Sequence, residues 1–331
     1  MPNIWAHIQF GREVLEAHPA DVKPCMRASD GEWKRAFQLG CQGPDFLFYH
    51  RFLPWQPKSA ASRLGSRMHS ERCGPFLLSL LDAVGGRPFS DPALGFALGF
   101  LLHHILDRNL HPFVFSRSGF RKWHHQRFET AMDAVVMHRR AGIRTGQVPV
   151  APEIDTGGRM PGGFTAAFHR IVGEHYPVLA AQVSPEQLDE AVRDMIRAQR
   201  LFFDPHGWKG KLLFGRIAPF SPPRRLPAWD VLNDAHASWV DPTDRTITHT
   251  SSSDELWEAA LADARLTTGT ALAWLKAAHA KPAGPAAPPG EREDAASLRA
   301  AFAEALGDVS YETGRACGTA QITYADSVVP V

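Results

Sequence analysis

Ala93 to Leu102 is an unbroken apolar run, ALGFALGFLL, closed by His103 and His104. A membrane-spanning helix needs about 20 such residues, so this shorter run reads as a helix buried inside a folded protein. Asp91-Pro92 ahead of it supplies a cap and a first-turn proline, and Pro112 disfavours helix at His111, which sets the expected end at Leu110. His103 and Asp107 lie in this most apolar helix. An unpaired ionisable group there costs on the order of several kcal/mol, and a shared metal ion relieves that cost.

The spacing of the ionisable residues points the same way. His103 and Asp107 are four apart, as are His125 and Glu129, so each helix presents an imidazole and a carboxylate on one face, about 6 Å apart. That is the reach needed to share one ion. His111, at the end of its helix, is placed to turn toward the second pair and complete a His, His, Glu set, which leaves catalytic zinc an open position. His104 is the rival to His103, but it points about 100° away on a helix and breaks the spacing to Asp107.

Helical signals dominate the rest of the chain, and the expected class is all-α. Helices are expected over 120–140, 164–180, 185–202 (with a capping box at Ser184-Pro185-Glu186-Gln187), 228–239, 254–279 and 292–306. The Gly/Pro-rich stretch GQVPVAPEIDTGGRMPGG divides the chain into a zinc-binding domain, 1–145, and a helical C-terminal region, 146–331, packed on it. A mobile Pro/Ala/Gly loop is expected near 281–291. With 36 Lys and Arg against 35 Asp and Glu, a net charge of +1 argues against a broad nucleic-acid footprint. Cys25, Cys41, Cys73 and Cys317 show no Cys-x-x-Cys spacing and are expected to be free thiols, Cys41 and Cys73 as small core residues. The first residues hold no basic stretch followed by an apolar run and a cleavage site, so a cytoplasmic location is the expectation.

The ordered set of His103, Asp107, His111, His125 and Glu129 resembles the zinc-dependent phospholipase C superfamily, which also contains the zinc-dependent single-strand nucleases. The resemblance extends upstream to His7 in Asn-Ile-Trp5-Ala-His7, Asp45 in Gly-Cys-Gln-Gly-Pro-Asp45 and His69 in Ser-Arg-Met-His69. It extends downstream to Leu232-Asn233-x-x-His236-x-x-Trp239-x-x-Pro242 and Ser310-Tyr311-x-Thr313-Gly314, which look like the C-terminal features of a leaderless branch of that family. It implies an all-helical fold around a three-zinc cluster. By position, His69, His103 and Asp107, with Asp45, would hold the first zinc. His111, His125 and Glu129 would hold the second, and His7 with a bridging Asp107 the third. Asp45 would be a ligand or the general base that takes a proton from the attacking water.

Two departures are visible. Secreted relatives begin with a processed tryptophan whose amino group binds the third zinc, about a dozen residues before the first His. Here Trp5 is internal and two residues before His7, so that ligand is lacking unless Met1 is removed and the amine of Pro2 takes its place. The step from Asp107 to His111 is four residues rather than six.

The resemblance implies hydrolysis of a glycerophospholipid by metal-activated water, with a phospholipid or other phosphoester as substrate and peripheral membrane contact. The run Phe46 to Trp55 after Asp45 is expected in the core, or alternatively against a bilayer or substrate. The rival enzyme is a single-strand nuclease or nucleotide phosphatase, for which Trp33, Trp55 and Trp123 are candidate base-stacking residues and nucleic acid the partner. The rival from another class is a scaffold protein with protein-capped structural zinc. His50 reads as a polar loop histidine, His124 and His138 as solvated, and Pro222-Pro-Arg-Arg225 as a solvated basic turn. His236 and Trp239 read either as a lid over the metal pocket or as helix packing.

Overall fold

The Asp91 carboxylate accepts the Ala93 amide at 2.8 Å, and Pro92 takes the first turn of the helix, where its missing N–H is no loss. The computed structural model describes residues 3–17, 31–57, 59–279 and 289–330. Along the chain its longer helices are α1 (Ile4–Ala17), α2 (Glu32–Gly40), α3 (Ala60–Ser70), α4 (Cys73–Asp82), α5 (Pro92–Ser118) and α6 (His124–Ala141). They continue as α7 (Thr165–His175), α8 (Pro185–Phe202), α9 (Ser253–His279) and α10 (Pro289–Leu306). A 3-10 helix, Gly43–Tyr49, follows α2. The fold is all-α with a helical C-terminal half. Among the described residues one small sheet pairs β1 (Trp239–Val240) antiparallel with β2 (Thr248–His249), Trp239 opposite His249. None of the described helices is long and apolar enough to cross a membrane.

α5 is the axis of the molecule. Phe96, Phe100, Leu101, Leu102, Ile105 and Leu106 are all buried, and α1, α2, α4, α6 and α9 pack around them. A helix apolar on every side has to lie inside such a bundle. The core continues without a break into α7, α8 and α9 through Phe168, Leu188, Val192, Met195 and Trp257.

α5 does not end at Leu110 as expected; it runs through Pro112 to Ser118. Proline inside a helix costs about 3 kcal/mol, but continuing the helix buries Phe113 and Val114 completely, and each contributes about 1.5–3 kcal/mol. Burial outweighs the break. Pro112 has no amide to offer the Arg108 carbonyl, and Gly314 packs against that oxygen: a Cβ on Gly314, whose φ is 64°, would lie 2.4 Å from it.

Three other boundaries differ. α6 starts at His124 rather than Phe120, because Trp123 sits in the left-handed region at φ 68°. The helix expected over 164–180 breaks at Tyr176, which Pro177 forces out of helical geometry to φ −132°, ψ 56°. The helix expected over 228–239 does not form. Asp230 captures the amides of Asp234 and Ala235 with its carboxylate, and Asn233 and His236 adopt positive φ. Short polar side chains here offer the backbone a better partner than a helix would. The capping box at Ser184 and Gln187 is present at the start of α8. The Pro/Ala/Gly loop expected near 281–291 lies outside the described residues except for its last three, which belong to α10, and Met1, Pro2 and Cys25 lie outside them as well.

A candidate metal centre

Five elements deliver the eight residues singled out above. α1 carries His7, the 3-10 helix Asp45, α3 His69, α5 His103, Asp107 and His111, and α6 His125 and Glu129. On α5 the three residues are one turn apart, so a single buried face presents all of them. The side chains gather in three groups whose ligand atoms lie within 4.8 Å of one another: Asp45, His69 and His103; His7, His103 and Asp107; and His111, His125 and Glu129. His103 is common to two of them. His7 and His103 stack with ring centroids 4.2 Å apart.

Each contact is between an imidazole and a carboxylate. His103 Nε2 is 3.0 Å from Asp107 Oδ2, His7 Nε2 is 3.3 Å from Asp107 Oδ1, and His69 Nε2 is 3.1 Å from Asp45 Oδ1. His125 Nε2 is 2.6 Å from Glu129 Oε1. On three rings the other nitrogen is held from behind. His69 Nδ1 meets the Gly65 carbonyl at 2.7 Å, His103 Nδ1 that of Cys41 at 3.0 Å, and His111 Nδ1 that of Tyr311 at 2.7 Å. A carbonyl only accepts, so each of these Nδ1 atoms carries a proton and each ring turns its Nε2 toward the cluster.

The consequence is a conflict that protein atoms alone do not resolve. His7 Nδ1 and Nε2, Asp45 Oδ1, His103 Nε2, both carboxylate oxygens of Asp107 and His111 Nε2 are all buried without a hydrogen-bond partner. Unsatisfied buried polar atoms cost roughly 1–3 kcal/mol each, more when charged. A divalent cation satisfies acceptors from several directions at once, and the all-nitrogen-and-oxygen donor set suits zinc.

Protonation follows the burial. Burial opposes ionisation of Asp107, but the fields of His103, His111 and His7 outweigh it and hold the carboxyl well below the usual range. Burial, with His103 alongside, lowers the pKa of His7, and burial also lowers that of His111. For His69 burial also opposes the charged form, but the nearby carboxylates of Asp45 and Asp107 outweigh it and raise the pKa.

Close approach is built into the backbone. Gly43 lies at φ 49°, and a Cβ there would come within 2.1 Å of the His103 ring, so only glycine lets the 3-10 helix bring Asp45 this near.

Several supporting residues escape a reading of spacing. Residues 309–314 lie against the back of the centre: the Tyr311 amide donates to the His69 carbonyl at 2.9 Å and the Ser310 hydroxyl to the same oxygen at 3.0 Å. The Tyr311 ring packs on His104, His69 and His103 at centroid distances of 4.5, 5.1 and 5.7 Å. The sequence signal was the Ser310-Tyr311 motif, with nothing to say what it touches. Asp133 on α6 accepts the Ala6 amide at 2.6 Å and so fixes the start of the helix that carries His7; burial pushes its carboxyl up to about 8. A fourth group, Cys73, Asp308 and Cys317, joins thiols that the sequence leaves unrelated.

Other residues take plainer places. His104 is buried with Nε2 on the Val309 carbonyl at 2.7 Å, away from the carboxylates. His50 pairs with Glu190 at 3.2 Å. His138 is exposed, but His124 is buried rather than solvated. Neither a lid nor helix packing describes His236 and Trp239: His236 is exposed on a turn, and Trp239 packs edge-on against Phe113 at 5.5 Å. Arg224 and Arg225 are exposed, as a solvated turn requires. Trp33 is fully buried and unavailable for base stacking.

A family model described as zinc dependent phospholipase C matches residues 6–195, which span more than half the chain and enclose all eight residues. The chain belongs to the zinc-dependent phospholipase C family. No curated protein and no solved structure matches it. Membership and the buried histidine–carboxylate groups together make this a zinc-dependent phosphoesterase, a metal-dependent hydrolase of phosphoester bonds.

Proposed function

We propose that this chain is a phospholipase C that hydrolyses the phosphodiester of a glycerophospholipid to diacylglycerol and a phosphorylated head group. Its centre holds two to three zinc ions on His7, Asp45, His69, His103, Asp107, His111, His125 and Glu129. The buried, partnerless nitrogens and oxygens of His7, Asp45, His103, Asp107 and His111, aimed into one cluster, carry the metal reading. Bound zinc supplies Lewis acidity toward the phosphoryl oxygens and activates water for attack. The backbone carbonyls behind His69, His103 and His111 hold the rings and fix their tautomers, and Asp45 is the carboxylate that accepts the water proton. Elemental analysis after mild dialysis is expected to find two to three zinc equivalents, lost together with activity on chelation. A folded, active, metal-free protein would refute it.

The lipid part rests on an aromatic rim. Trp123, just before α6, packs on Phe220; Phe220 stacks on Phe202, and Phe202 meets Phe52, beyond Asp45. This ladder joins the segment leading to His125 and Glu129 with the one following Asp45. On the flanking segments, Trp55 follows Phe52 by three residues and is 76% exposed, and Phe214 follows Leu213, which packs on the same aromatic cluster, and is 90% exposed. Large apolar side chains exposed on the segments that flank this ladder offer a contact surface. The run after Asp45 is thus split, since Phe46 and Leu47 are core while Phe48 and Trp55 are exposed. Trp55→Asp and Phe214→Asp are expected to cut vesicle binding and turnover on long-chain phosphatidylcholine at least tenfold, yet to leave turnover on a short water-soluble phosphodiester within about twofold. Each acyl methylene buried contributes about 0.8 kcal/mol, and a short ester has none to bury. Equal losses on both substrates would make the rim structural, and wild-type cleavage of single-stranded nucleic acid without phospholipid turnover would replace the reading with a nuclease.

A further inference from the structure

Cys73 is the first residue of α4, and its buried thiol donates to the Met68 carbonyl at 3.4 Å. Cys317, half-buried and 244 residues further on, donates its thiol to Cys73 Sγ at 3.4 Å. The two thiols close a loop. The Cys317 amide donates to the Asp308 carbonyl at 2.9 Å, Val309 bridges Ala316, and Asp308 Oδ1 accepts the Gly74 amide at 3.0 Å. Residues 308–317 therefore have their base on the start of α4 and their tip in the metal centre. At the tip the Tyr311 carbonyl takes the His111 Nδ1 proton and the Tyr311 amide and Ser310 hydroxyl hold the His69 carbonyl. A partner that fixes the back of a ligating histidine is worth about 10–100-fold in metal affinity. Whatever holds this loop down holds two of the candidate ligands in place.

We propose that Cys73 and Cys317 are a redox latch: a reversible disulfide between them pins the 308–317 loop and slows loss of metal from the centre. This rests on the reading of that centre as a zinc site. The sulfurs must close from 3.4 Å to about 2.05 Å, a movement within reach of side-chain rotation. Cys317 is the more exposed and meets the oxidant first, whereas the Cys317 sulfur alongside and burial raise the pKa of Cys73 and keep it a thiol. With a low-molecular-weight disulfide such as oxidised glutathione, the Cys317 thiolate attacks one glutathione sulfur and releases the other as thiolate. The Cys73 sulfur then attacks the Cys317 sulfur while its proton passes to the departing glutathione sulfur, which leaves as a thiol. Two protein thiols become one disulfide, and one glutathione disulfide is reduced to two thiols.

The test uses the full-length zinc-loaded protein, reduced or treated with oxidised glutathione, with peptide mapping and the rate of zinc loss to EDTA as readouts. Expected are a cross-linked peptide pair containing Cys73 and Cys317, and zinc loss slowed about tenfold or more. Dithiothreitol should reverse both. Cys317→Ala should load the same zinc, show the activity of the reduced protein and lose the response to oxidation. Glutathione remaining on Cys317 without a cross-link, or a cross-link that leaves zinc loss unchanged, overturns the latch while leaving the metal centre intact. Loss of one zinc equivalent in Cys317→Ala also overturns it, and makes the thiols with Asp308 a metal site instead. Protein that takes up no zinc in either redox state defeats the functional reading and this inference together.

Discussion

Asp45→Asn should lose about two to four powers of ten in phosphodiesterase turnover, the usual contribution of a positioned general base, while keeping most of its zinc. Asp45 sits in a rigid turn. Pro44 lies in the first turn of the 3-10 helix, Gly43 lets the backbone close against the His103 ring, and Phe46 and Leu47 on the next positions are fully buried. Asparagine has the same shape, so the turn should persist, and its amide oxygen can still face His69 Nε2, which lies 3.1 Å from Asp45 Oδ1. What asparagine lacks is the capacity to accept a proton. Zinc content and initial rates measured on the same preparation separate the roles. Full activity would remove Asp45 from catalysis, and a loss of zinc in proportion to activity would make it a ligand alone.

The parts of this molecule set by local chemistry are legible in its sequence. Asp91-Pro92 and Ser184 to Gln187 start helices by satisfying or omitting amides that the first turn leaves free, which needs no tertiary information. The steps of four on α5 and α6 fix which side chains share a face whatever surrounds the helix, so His103 is separable from His104 before any packing is known. Where local preference and burial compete, the sequence alone misleads. Pro112 argues for a helix end, yet Phe113 and Val114 gain more from burial than the proline costs. Over 228–239 the composition permits a helix, but Asp230 and Asn233 find closer partners in the surrounding turn.

Relations across long separations are the illegible remainder. Nothing near His111 indicates that its Nδ1 proton goes to Tyr311, 200 residues away, and nothing near Cys73 indicates Cys317. The family resemblance named Ser310 and Tyr311 without a reason. The reason is visible only in the fold: the metal centre needs acceptors behind its imidazoles, and one of those acceptors is a backbone carbonyl in the C-terminal loop.

Asp107→Ala should empty at least two zinc sites, whereas Glu129→Ala should empty one. The difference follows from what each carboxylate touches. Asp107 is completely buried, with Oδ1 toward His7 on α1 and Oδ2 toward His103 on α5, and neither oxygen has a hydrogen-bond partner. A carboxylate whose two oxygens face two imidazoles on different helices is placed to bridge two ions. His103 is also shared with the Asp45 and His69 group, so disturbance at Asp107 spreads to its neighbour. Glu129 lies against His125 and groups with His111 at the half-buried edge of the centre, away from the His7 and His103 rings that Asp107 joins. The fold should survive both substitutions, because without the charge of Asp107 the buried His7 ring keeps the neutral form that burial favours. Zinc per chain measured by elemental analysis, with circular dichroism to show retained helix, decides the matter: equal loss in the two variants, or greater loss in Glu129→Ala, removes Asp107 from the bridging position.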